Sequence, residues 1–212
     1  FFFFIFLMIY AYLKWDVIER TGRILLCLIA ALSLGAMPLI NSWDVLVYAP
    51  FTLLFSVLIF LKYRVVQDFE SADSWMPLVL IPVLSFVLYL PFYIMLNSAG
   101  IEGIGIVKMP SEPFSFLLVH GWFLLILVLY VARDILRRPL LLAIPLLICA
   151  TGYVSVGIVS IPLIYLVVKK SFRVPELLAI FALAVIIFPE IFYLVDNMGD
   201  MYYRMNTVFK LY

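Results

Sequence analysis

Apolar residues run through this chain in long blocks, and polar residues gather in the short intervals between them. The blocks cover residues 1–13, 24–40, 45–61, 76–96, 114–132, 139–168 and 175–195. A hydrocarbon core of about 30 Å takes about 20 helical residues, fewer when flanking side chains reach back to the interface. Backbone polar groups in lipid must be satisfied within their own segment, so helices are the expected form. The pattern predicts an all-α, polytopic transmembrane helix bundle of about seven membrane segments. It makes a single transmembrane domain of residues 1–212. Prolines at 82, 91, 145, 162 and 189 fall inside the blocks, where neighbouring helices must satisfy the carbonyls they free.

The block at 139–168 decides the topology. Thirty residues at 1.5 Å each give about 45 Å of helix, too little for two full crossings. A single crossing puts Lys169, Lys170 and Arg173 on the opposite side from Arg133, Arg137 and Arg138, against the positive-inside rule. A block that returns to its starting side places both triplets with Lys14, Arg20, Arg23, Lys62 and Arg64 on the cytosolic face. Only Lys108, Arg204 and Lys210 then lie outside. The expectation is a broken or re-entrant hairpin of two short helices, interrupted near Thr151–Gly152 and covered by other protein. This parity puts residues 41–44, 97–113 and 196–212 on the extracytoplasmic face of the cell membrane. With them go the carboxylates Asp44, Glu102, Glu112, Glu190, Asp196 and Asp200.

Composition sharpens this reading. Hydrophobic residues make up 67% of the chain and charged residues 13%, against about 25% charged in soluble domains. A net charge of +1 gives nucleic acid no reason to bind. Cys27 and Cys149 sit inside apolar runs, where a thiol behaves as a small hydrophobe and implies neither a disulfide nor a metal cluster. The chain opens on FFFFIFLMIY without an initiator methionine and closes on FKLY in mid-pattern, so both ends are expected to be cuts through a longer protein. No metal-ligand spacing, nucleophile elbow, phosphate loop or internal repeat stands out.

Ionisable residues inside a membrane are costly and mark functional sites by default. His120 lies six residues past the outer start of its block and Glu190 five short of the outer end of its own, so one outer-leaflet cavity can hold both. The plainer readings are a histidine bonded to a neighbouring helix and a glutamate that snorkels to headgroups. GDMYYRMNTVFK, at 199–210, breaks an apolar context with a cluster of polar groups. As a helix entering the membrane, with Gly199 and Asp200 as turn and N-cap, it sets Tyr203, Asn206 and Lys210 on one face with Arg204 and Thr207 alongside. That stripe suits a phosphate or another anion, or equally an interfacial anchor. In NSWD, Asn41 and Asp44 are either caps or an amide and a carboxylate facing the same cavity. Gly100, Gly103 and Gly105 have no preceding strand and the wrong spacing for a nucleotide loop, and mark a flexible loop.

GDMYYRMNTVFKLY, with NSWD opening a span and LVHGWF at 118–123, resembles the "YYY" family of large polytopic membrane proteins. That family is an uncharacterised group related to the GT-C glycosyltransferases. Arg204 to Lys210 reproduce its most recognisable word without a gap, and Asn41, Trp43 and Asp44 match its Asn-x-Trp-Asp word. The resemblance implies a GT-C-like membrane enzyme that moves a sugar from a polyprenyl-phosphate donor on the extracytoplasmic side, with a catalytic loop upstream of residue 1. It implies Asp44 or Asp200 as the catalytic carboxylate and Arg204 and Lys210 on the donor phosphate. Asn206, Tyr203 and Asn41 would position sugar or phosphate oxygens, and His120 and Glu190 form a second tier. Mg or Mn is the candidate cofactor. The alternative is a flippase or secondary transporter for lipid-linked saccharides, whose broken helices and buried Glu/His pair would line a path. A third reading is a scaffold of the cell envelope.

Overall fold

The computed structural model describes residues 2–64, 71–95, 103–169, 173–195 and 204–211, apart from the side chains of residues 42, 71, 72, 206, 209 and 210. The chain forms two compact units, Phe1–Asn97 and Ser98–Tyr212.

In the first unit, helices α1 (Phe2–Lys14), α2 (Arg20–Ile40), α3 (Val45–Tyr63), α4 (Ser71–Leu88) and α5 (Leu90–Met95) follow one another. A 3-10 turn at Ser42–Asp44 joins α2 to α3. Helix α2 buries Cys27, Ala30, Ala31, Leu34 and Met37, and its small residues let α4 approach closely. Aromatic rings fill the space between α1 and α3: Tyr12 meets Phe55 edge-on at 5.8 Å, and Phe4 lies 6.5 Å from Phe51. One end is pinned by charge. Arg23 Nη1 reaches Asp73 Oδ2 at 2.5 Å and its Nε donates to the Trp15 carbonyl at 3.0 Å, while Trp15 Nε1 donates to the Asp73 carbonyl at 3.2 Å.

The second unit contains β1 (Gly103–Ile106), α6 (Pro113–Arg137), α7 (Ala143–Ala150), α8 (Val154–Lys169), α9 (Val174–Ile191), β2 (Phe192–Val195) and α10 (Met205–Leu211). Helix α6 starts where Pro113 follows a capping Glu112, whose carboxylate accepts from the N–H groups of Phe114 at 3.1 Å and Ser115 at 2.7 Å. Phe116, Leu124 and Val131 fall on one face of α6 and pack with Val159, Tyr165 and Leu166 of α8 and Leu183 of α9. Its other face is bare and apolar, with Leu118 72%, Trp122 77% and Leu129 65% exposed. Such a surface suits lipid, where helix association rests on packing rather than on escape from water.

The 139–168 block is interrupted where its sequence predicts. A 3-10 turn at Pro139–Leu142 leads into α7, the chain turns at Thr151–Gly152, and α8 follows. Gly152 has φ +92°, which a residue with a side chain adopts only with strain. Gly157 lets α8 lie directly on α7: a methyl group there would stand 2.9 Å from the Pro145 carbonyl oxygen and collide with Cys149 Sγ.

Two expectations are corrected. The 175–195 block is not helical to its end, because β2 begins at Phe192. Residues 103–106 do not form an irregular loop: β1 pairs antiparallel with β2, Gly103 opposite Val195 and Ile106 opposite Phe192. Aromatic and β-branched residues favour FYLV as a strand, and Gly105 leaves room for the ring of Tyr193. Among the described residues four helices are long and apolar enough to cross a membrane: Arg20–Ile40, Val45–Tyr63, Pro113–Arg137 and Val174–Ile191. The apolar helices at Phe2–Lys14, Asp73–Leu88, Pro139–Ala150 and Val154–Lys169 are shorter.

Candidate functional site

The β-ribbon of the second unit sets its polar centre. Beyond β1 the chain continues past Val107, whose N–H donates to the Ile191 carbonyl at 2.9 Å and whose carbonyl accepts from Tyr153 Oη at 2.5 Å. Ser155 Oγ, at the start of α8, donates to the Ser111 carbonyl at 3.0 Å. The 107–111 segment is thereby held between the end of α9 and the beginning of α8.

Glu190, on the last turn of α9, is fully buried at 0% exposure. Its Oε2 accepts from the Ser111 N–H at 2.8 Å and its Oε1 from Ser111 Oγ at 2.7 Å. The same Oε1 meets Arg204 Nη2 at 2.6 Å. Arg204 also donates through Nη1 to the Met109 carbonyl at 2.8 Å and through Nη2 to Ser111 Oγ at 3.3 Å. An ion pair this deep stands only when hydrogen bonds satisfy its remaining polar atoms. Here the backbone of 109–111 does much of that. One donor remains: Arg204 Nε is buried and has no hydrogen-bond partner among the described residues.

Two further contacts complete the centre. Thr207, 1% exposed, accepts from the Leu194 N–H at 3.0 Å and so docks α10 on β2. His120 is buried on α6, its ring 4.8 Å from that of Phe116, and it lies within electrostatic reach of Glu190. Of the residues singled out in the sequence, the structure thus joins Glu190 to Arg204, with His120 close enough for the charge of Glu190 to act on it. Glu190 is committed to Arg204 and Ser111 rather than snorkelling to headgroups, and Thr207 serves the fold.

Asn41 and Asp44 belong to the first unit. Asn41 Nδ2 donates to Asp44 Oδ1 at 3.2 Å, and Asn41 Oδ1 accepts from the Trp43 N–H at 3.3 Å, so the amide caps the 3-10 turn. Asp44 makes no side-chain cap to α3. Asp200 and Tyr203 lie outside the described residues, as do the side chains of Asn206 and Lys210, whose backbones are part of α10. Among the described residues no three His, Cys, Asp or Glu side chains gather as a metal site.

Sequence reasoning missed Ser111, the Met109 carbonyl, Tyr153 and Ser155. Ser111 carried a weak signal, since it stands beside the Glu112–Pro113 helix start. Nothing along the chain joins it to partners 79 and 93 residues away.

A family model described as an uncharacterized membrane protein, DUF2298, matches residues 1–212. No curated protein and no solved structure matches the chain.

Proposed function

The chain belongs to the DUF2298 family of uncharacterized membrane proteins, and we propose that within it this chain is an integral membrane glycosyltransferase using a polyprenyl-phosphate-linked sugar donor on the extracytoplasmic face. The observation that carries this reading is the state of Arg204. Its guanidinium is fixed inside a membrane protein by Glu190 and the Met109 carbonyl, while its buried Nε–H has no partner among the described residues. A preorganised donor of this kind, withdrawn from water, suits a phosphate oxygen on which charge develops as the leaving group departs. Glu190 offsets much of the arginine's charge, so the phosphate needs a second cation. Lys210, six residues further along the same word, supplies it.

In the reaction an acceptor hydroxyl oxygen bonds to the anomeric carbon, and the bond from that carbon to the phosphate oxygen breaks. Asp200 takes the hydroxyl proton, and polyprenyl phosphate leaves with the electron pair. Tyr203 and Asn206 orient sugar oxygens. The resemblance of residues 204–210 to the "YYY" family, and the GT-C relation it implies, supports the same assignment.

The test is transfer from radiolabelled polyprenyl-phosphate sugars by the purified full chain in proteoliposomes. Lys210→Ala is expected to lower turnover by about 10²–10³ without changing the melting temperature, the loss typical of one charge-stabilising donor. Arg204→Lys, which keeps the charge but loses the fork, is expected to lower it comparably. Undiminished transfer in both variants removes the site assignment, and movement of unaltered lipid-linked sugar across the bilayer replaces the enzyme with a flippase.

A further inference from the structure

A second polar region of the same unit lies at the other end of α6. Helix α6 finishes on Arg137 with Arg138 as its C-cap, and α8 ends at Lys169. Between them is a cavity of about 100 Å³ lined by Asp134, Arg138, Tyr165, Val168 and Lys169. That is room for about three waters, the scale of one phosphate group rather than of a sugar.

The cavity is built, not incidental. Tyr165 is buried and its Oη donates to the Arg138 carbonyl at 2.8 Å, tying the end of α6 to α8. Lys169 Nζ is held by Glu176 Oε1 at 3.1 Å, and Glu176, 2% exposed, also accepts from Tyr130 Oη at 2.8 Å. With Arg133 and Arg173 nearby in the chain, cations outnumber the carboxylates Asp134 and Glu176 at this end of the unit. Exposed apolar side chains flank Arg138 along the chain, Leu136 at 82% and Leu140 at 88%. Cations around a small polar cavity, next to bare apolar surface at the end of a membrane helix, are the two halves of a phospholipid site: one for the phosphate and one for the acyl chains.

We propose that this cavity holds the phosphate of an anionic phospholipid whose headgroup alcohol carries hydroxyls. Arg138 and Lys169 face the phosphodiester, and Asp134 accepts from a headgroup hydroxyl. Asp134 gives the site its selectivity, because a phosphate alone would be repelled by it. The site is independent of the Arg204 centre and of the activity proposed for it.

The experiment is native mass spectrometry of the full chain released from micelles doped with equal amounts of phosphatidylglycerol, phosphatidylethanolamine and phosphatidylcholine, with glycerol phosphate and inorganic phosphate as separate arms. The expected result is selective retention of phosphatidylglycerol, falling about fivefold in Arg138→Gln and less than twofold in Arg133→Gln, which removes the same charge outside the cavity lining. The Arg138 side chain is exposed and only its backbone bonds Tyr165, so the substitution spares the fold. Equal retention of the three lipids, preference for phosphatidylethanolamine, or equal loss in both variants overturns the proposal. Binding of the soluble phosphates as strong as that of the lipid overturns it too, since the apolar flank would then contribute nothing.

Discussion

Replacing Arg204 by methionine removes the guanidinium from Glu190 while keeping a side chain of similar length. The carboxylate is fully buried, and of the hydrogen bonds described for it those from the Ser111 N–H and hydroxyl, at 2.8 Å and 2.7 Å, remain. Breaking a buried pair by deleting one member costs about 3–5 kcal/mol, most of it the uncompensated charge left behind. For a chain of this size each kcal/mol moves the melting temperature by about 2–4 °C, so Arg204→Met should melt roughly 6–20 °C lower. The loss has a second source. Without Arg204 the Met109 carbonyl loses its donor, and α10 keeps only the Thr207 contact to β2 among the bonds described here. The assay is thermal unfolding in one detergent for the wild type, Arg204→Met, Glu190→Gln and the double variant. The double variant should recover part of the loss, because neutralising both partners leaves no stranded charge. An Arg204→Met protein melting within about 2 °C of wild type, or strictly additive losses in the double variant, would refute the reasoning.

Asp73→Ala takes the carboxylate from buried Arg23 in the first unit and should cost about 3–5 kcal/mol in the same assay, with Asp73→Asn costing less. Gly157→Ala should destabilise by about 1–3 kcal/mol, because its methyl meets Cys149 and a backbone carbonyl on α7. Adding Cys149→Ala should restore only part of this, since the Pro145 carbonyl 2.9 Å away cannot yield as a side chain can. The Glu112 cap should persist in acid: the Ser115 hydroxyl first, and then the N–H groups of Ser115 and Phe114, hold its carboxyl below the usual 4.5. A depressed pKa in the fold means a stabilisation present above the usual value and lost as pH falls through the lowered one. Melting curves against pH should therefore show the advantage of wild type over Glu112→Gln surviving at pH 4.5 and fading only below it.

Membrane character and the helices were legible because they rest on composition and on segment length, which act locally. The break at Thr151–Gly152 was legible for a different reason. Only a returning segment reconciles its length with the arginine and lysine triplets on either side. The β-ribbon was not legible, since FYLV continues an apolar helical block and GIGI is too short and glycine-rich to read as a strand alone; each becomes one by pairing with the other. For the centre, Glu190 and Arg204 could each be picked out as costly or conspicuous, but not as partners. Their meeting depends on the ribbon and on the 109–111 backbone, which no periodicity encodes. Asn41 and Asp44 were read with two alternatives, and their short-range bonds to each other and to Trp43 are what a tight turn dictates.

Sidedness and chemistry come together in one measurement on sealed vesicles containing the full chain in a single orientation. A radiolabelled polyprenyl-phosphate sugar and a hydroxyl acceptor are supplied only to the face that carries Lys108 and the Arg204 segment. Label bonded covalently to the acceptor, forming there and not when both are confined to the opposite face, is the predicted result. Label that crosses the bilayer still attached to its lipid, or transfer confined to the face of Arg137 and Lys169, would contradict the account.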